Sequence, residues 1–162
     1  MIKARHYWFY VRFFRLYCRF MIHWHFRDVI IKGDIPDRSK PILLIGNHFS
    51  WWDGFFANYL NYKIFHRRFH VMMLEDQLKK HMFLNKAGAY SIRQHTHSVI
   101  ESLKYTRELL SDPANLVTIY PQGEIRSMFH YPVQFEKGIT KILRGMEDQV
   151  QIVFISVLVD YF

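Results

Sequence analysis

PILLIGNHFSWWDGFF, residues 41–56, sets a strand, a turn and a helix start in one short run. Ile42 to Ile45 are continuously apolar, as expected of a strand covered on both faces. Gly46-Asn47 breaks that run, and Ser50 is placed to cap a following helix. His48 therefore falls in the turn, at the carboxyl end of a strand, where α/β sheets place their sites. Asp53 falls in the first helical turn, from which its carboxylate can fold back toward the imidazole. Such an acid accepts the Nδ1 proton, fixes the tautomer and leaves Nε2 free to take another. The competing reading is a capping aspartate beside a buried, hydrogen-bonded histidine.

The spacing alone decides nothing. Ten histidines and eight aspartates in 162 residues give about one half of a His-x4-Asp match by chance. A second match does occur, His23 with Asp28, and His70 with Glu75 is a looser one. On a helix His23 and Asp28 would point apart, so that pair reads as noise.

Outward from this stretch the chain alternates short apolar runs with helical segments. Residues 28–33, 41–46, 69–74, 89–92, 116–120 and 151–159 read as strands, and residues 51–62, 76–85, 95–111 and 136–145 as helices. Val99, Ile100, Leu103 and Leu110 form the apolar stripe of the third helix. The expected fold is α/β: a mixed, largely parallel sheet flanked by helices. It occupies residues 28–162, behind an amphipathic segment at residues 1–27. The apolar run ending at Phe162 reads as the end of a truncated chain.

Residues 1–27 are aromatic and basic. Arg5, Arg12, Arg15 and Arg19 fall on one side of a helix, with Ile2, Phe9, Phe13, Phe20 and Trp24 off that stripe. Arginines interrupt every stretch that could span a bilayer or form a signal peptide. So many large rings exceed what one helix face can bury internally, which favours a helix lying in the membrane interface. A net charge of +8 and 18% aromatic content fit an anionic partner. Both would also fit nucleic acid, but no RNA-recognition or zinc-finger signature accompanies them, and nucleic acid is not expected. Cys18 is alone, so the chain forms no internal disulfide, and it reads as a small apolar residue in a reducing compartment. His66 and His70, and His95 and His97, lack a third metal ligand and read as solvated surface histidines; no metal is expected. Trp51 and Trp52 either line an apolar channel or pack in the core or on the membrane side.

A second constellation, YPQGEIRS (120–127), follows the apolar run LVTIY. Its glycine allows backbone N–H groups close to a ligand, and Arg126 offers a fork suited to phosphate. NHFSWWD followed by YPQGEIRS resembles the glycerolipid acyltransferase superfamily, typified by the 1-acylglycerol-3-phosphate acyltransferases. Its motifs are Asn-His-x4-Asp and a Phe-Pro-Glu-Gly-Thr-Arg-Ser-like block. Gly33 to Pro36, the stretch from Met73 to Gln94 and FEKGITKIL (135–143) agree with it. Gln122 replaces the family's glutamate, one extra position precedes Arg126, and Ser156 stands where a fourth block has proline.

The resemblance implies acyl transfer from acyl-CoA or acyl carrier protein to a hydroxyl of a lysophospholipid or glycerol-phosphate-like acceptor. His48 would be the general base and Asp53 its orienting acid. Gln122, Gly123, Glu124 and Ser127 would line the acceptor site, with Arg126 on its phosphate. Gly88 and Arg93 would match the acceptor-binding second block. No cofactor is implied, and the place is the cytoplasmic face of a membrane. The alternative is a non-catalytic lipid-binding relative that has lost turnover.

Overall fold

The computed structural model describes residues 1–34, 37, 39–93, 98–129 and 132–160. Five strands form one sheet: β1 (Ile42–Gly46), β2 (Arg68–Leu74), β3 (Ala89–Ile92), β4 (Asn115–Ile119) and β5 (Gln151–Ile155). Their order is β3-β2-β4-β1-β5, and every pairing is parallel. The helices are α1 (Trp8–His25), α2 (Asp53–Leu60), α3 (Glu75–Lys80), α4 (Met82–Asn85), α5 (Val99–Leu109) and α6 (Gly138–Leu143). A π-helical turn, Asn61–Phe65, extends α2.

Burial explains which apolar runs became strands. All five residues of β1 and all five of β4 are buried, because these central strands are covered on both faces. The two-residue period divides their side chains between two cores. Leu43, Ile45, Val117 and Ile119 pack with Leu103, Leu110 and Ile142 beneath α5 and α6. Ile42, Leu44 and Leu116 pack with Ala57, Phe65 and Phe69 beneath α2 and its π turn. Leu44 is fully buried, so Leu44→Ala costs about 2–5 kcal/mol.

Three expected elements change. Residues 28–33 form no strand: Ile30 is 79% exposed and Ile31 42%, so the run buries no face against a partner. The expected last strand stops at Ile155; β5 is an edge strand whose residues alternate in burial, with Phe154 turned outward. In α5, Ile100 also faces outward, leaving Leu103 and Leu110 to the core. The part of the α5 segment at residues 95–97, and Ile35 and Pro36 of the Gly33–Pro36 stretch, lie outside the described residues.

The N-terminal segment packs on the sheet domain. Arg5 N–H donates to Asn85 O and Tyr7 N–H to Lys86 O, and Ile2 exchanges hydrogen bonds with Ser91. Arg5 thus lies in an extended strap ahead of α1, off the helical arginine ridge of Arg12, Arg15 and Arg19. Phe14, Cys18 and Ile22, spaced four apart, are the buried face of α1. Its other side exposes Trp8, Phe9, Phe13, Leu16, Phe20 and Trp24. No helix among the described residues is long and apolar enough to cross a membrane.

Neighbouring strands β1 and β4 send their following helices, α2 and α6, to opposite faces of the sheet. Divergence of that kind opens a crevice at the carboxyl ends of the two strands.

Candidate active site

Both sequence motifs meet at this crevice. His48 lies in the turn after β1, a quarter exposed, and its Nδ1–H donates to Oδ2 of Asp53 at 2.6 Å. A carboxylate only accepts hydrogen bonds, so the proton sits on Nδ1 and the lone pair of Nε2 is left for chemistry. Asp53 is 1% exposed. Its Oδ2 also accepts from Phe49 N–H (2.9 Å) and Ser50 N–H (3.1 Å), while Oδ1 accepts from the Ser50 hydroxyl (3.3 Å). A buried carboxylate needs that density of donors, and they fix its orientation. Ser50 thus serves the carboxylate directly; its Oγ also accepts from Trp52 N–H, and α2 itself begins at Asp53.

The loop after β4 grips the backbone of His48 from both sides. Oε1 of Gln122 accepts from His48 N–H, and Arg126 N–H donates to His48 O at 2.9 Å. Gln122 therefore ties two loops together, which an acceptor-lining role did not anticipate. Gly123 makes the turn, with φ of 72° and its N–H on Tyr120 O. The Arg126 guanidinium pairs with Glu124, Nε to Oε1 at 2.8 Å and Nη2 to Oε1 at 2.6 Å. Ser127 is exposed, and its Oγ accepts from Phe129 N–H.

The second block lies on a different strand. Arg93 follows edge strand β3, with β2 and β4 between it and β1, about 14 Å of sheet. Its guanidinium pairs with buried Glu75, whose carboxyl is pulled down to about 2 by hydrogen bonds from Arg93 and Lys79. Gly88 sits at the opposite, amino end of β3 with φ of 110°. A Cβ there would lie 2.1 Å from Phe69 O and 2.6 Å from Nε2 of His6, so close packing demands this glycine.

The acyltransferase family model matches residues 25–159. The chain belongs to the acyltransferase family. Membership carries acyl transfer from an acyl donor to a lipid-like acceptor. A comparison with the curated proteins finds no match.

Two residues of the candidate site were given no site role from sequence. Asn47 hydrogen-bonds both ways with Val157 (Nδ2–H to O, 3.1 Å; N–H to Oδ1, 2.9 Å), lashing the β1 turn to the chain beyond β5. Tyr120 stacks on the imidazole of His48. For Asn47 the signal was its place beside the base; for Tyr120 it was the aromatic residue at the end of the second apolar run.

The histidine expectation is corrected in part. His66 ends the π turn with φ of 54° and His70 lies in β2, so they are not a helical pair. His70 is 3% exposed rather than solvated, because its strand turns it inward. It stands edge-on to His6 at 4.6 Å, and its Nε2–H donates to Asn115 Oδ1. Burial, then the neighbouring His6, lowers its pKa to about 4. His95 and His97 lie outside the described residues. Cys18 is fully buried and its thiol pushed up to about 12 by burial, which excludes it as a nucleophile. A pocket of about 70 Å³, lined by His6, Arg15, Asn58, Asn61, Arg67 and Arg68 among others, opens at the amino end of β2, away from His48.

Proposed function

We propose that this acyltransferase moves a fatty acyl group from acyl-CoA or acyl carrier protein to a hydroxyl of a lysophospholipid or glycerol-phosphate-like acceptor. The 2.6 Å bond between Nδ1 of His48 and Asp53 carries the reading, since it leaves Nε2 as an oriented base. Nε2 takes the hydroxyl proton as the acceptor oxygen attacks the thioester carbonyl. The tetrahedral intermediate collapses, the C–S bond breaks, and the imidazolium returns the proton to the departing thiolate. An ester and a free thiol result, with no acyl-enzyme. Arg126, whose guanidinium pairs with Glu124, contacts the acceptor phosphate in exchange for that carboxylate.

The reading places the reaction at a membrane surface, on the cytoplasmic face where thioester donors are made. Rings connect α1 to the start of α2, where Asp53 sits. Tyr17 contacts Phe55, Phe55 contacts Trp52, and these two flank Asp53 in sequence. Trp51, 52% exposed, packs against His81. Trp52 packs against His25 and Phe26, which supports the packing role for this tryptophan rather than an acyl channel. Rings at headgroup depth, with Arg12 and Arg19 near lipid phosphates, would bring a lysolipid alongside His48.

Thiol release from acyl-CoA and acyl carrier protein, measured across a panel of lysolipids and glycerol phosphate, tests the proposal. Acceptor-dependent release supports it. Vesicle binding with no release for any acceptor replaces it with a lipid-binding relative that has lost turnover.

A further inference from the structure

Tyr120 follows β4 and lays its ring against the imidazole of His48, with centroids 4.8 Å apart and planes 22° from parallel. Room for that ring exists because position 46 has no side chain. A Cβ on Gly46 would stand 2.8 Å from Cε1 of Tyr120. The hydroxyl is buried and without a hydrogen-bond partner among the described residues. Burial, then the charge of Asp53, pushes its ionisation well above the ordinary range, so the ring stays neutral.

A hydrogen bond at Nδ1 anchors one corner of an imidazole but permits it to rock about that bond. A flat ring pressed on one face removes this freedom. The same face is electron-rich, and it attracts the imidazole once a second proton makes it a cation.

We propose that Tyr120 is a positioning residue for the base: its ring holds the plane of His48 so that Nε2 faces the acceptor hydroxyl, and its π face stabilises the imidazolium formed there. This rests on the acyl-transfer reading. The ring performs both tasks and the hydroxyl neither, so phenylalanine serves as well as tyrosine.

The test compares wild type, Tyr120→Phe, Tyr120→Leu and Gly46→Ala, the last displacing the ring without removing it. In NMR spectra of the full chain, the ring protons of His48 are shifted upfield in wild type and Tyr120→Phe. They lose that shift in Tyr120→Leu and Gly46→Ala. Transfer by Tyr120→Phe stays within about twofold of wild type. In Tyr120→Leu kcat falls roughly tenfold at nearly constant KM, and the acid limb of the pH–rate profile moves to lower pH. Tyr120→Leu with unchanged kcat and acid limb, or with unchanged His48 resonances, overturns the proposal. A wild-type chain that transfers nothing ends the parent reading instead. The NMR comparison then decides alone whether Tyr120 holds the ring.

Discussion

Arg126 holds His48 through its backbone, its N–H 2.9 Å from the histidine carbonyl, while its guanidinium turns to Glu124. Backbone and side chain of one residue thus have separable tasks. Arg126→Ala keeps the N–H and removes the fork. It is expected to raise KM for phosphate-bearing acceptors roughly tenfold or more with little change in kcat. Arg126→Pro removes the N–H as well and is expected to lower kcat. Steady-state kinetics with phosphorylated and unphosphorylated acceptors check both.

Gln122 supplies the other half of that grip. Gln122→Ala leaves the His48 N–H without its acceptor and costs about 1–2 kcal/mol, a fall of several degrees in Tm. Gln122→Glu keeps an acceptor oxygen at the same place and is expected to melt near wild type. Calorimetry of the two variants separates a loop tie from an acceptor contact, since only a loop tie lowers the Tm of the ligand-free protein.

The histidine pair at the other end of the sheet makes stability depend on pH. His6 is lowered by burial first, and His70 is lowered to about 4. Unfolded histidine titrates near 6.5, so below that pH the unfolded chain binds more protons than the folded one. The stability these neutral rings provide is complete above about pH 6.5 and lost as pH falls toward 4. His70 alone accounts for up to about 3 kcal/mol of it. Urea unfolding at pH 7 and pH 4.5 measures the loss, and His70→Gln is expected to flatten the difference.

The outer face of α1 is expected to bind anionic vesicles. Trp8 and Trp24 are about three-quarters exposed and make no core contact, so Trp8→Ala and Trp24→Ala keep the fold. Each is expected to weaken partitioning roughly tenfold. Co-sedimentation with anionic and neutral vesicles, at low and high salt, separates the aromatic contribution from that of the arginines.

The central strands were legible because both of their faces are covered: Ile42–Ile45 and Leu116–Ile119 are short runs without the alternation of a half-exposed strand. Residues 28–33 imitate such a run, but strand pairing is a long-range property, and sequence does not reveal that this segment has no neighbour. The His48–Asp53 pair was legible because the two residues lie five apart, one in the turn after β1 and the other at the start of α2. Gln122 and Tyr120 were not read as partners of His48 because only the β1–β4 register, Ile45 opposite Ile119, brings their loop beside it. The place of Arg93 was not legible for the same reason: sequence order puts it between the motifs, and strand order puts it after the edge strand β3.

The most direct measurement is acceptor-dependent thiol release by His48→Ala beside wild type, with folding checked by circular dichroism and vesicle binding followed in parallel. The base reading predicts that release falls by roughly 10² to 10⁴ while vesicle binding is unchanged. Full release by a folded His48→Ala protein would contradict it.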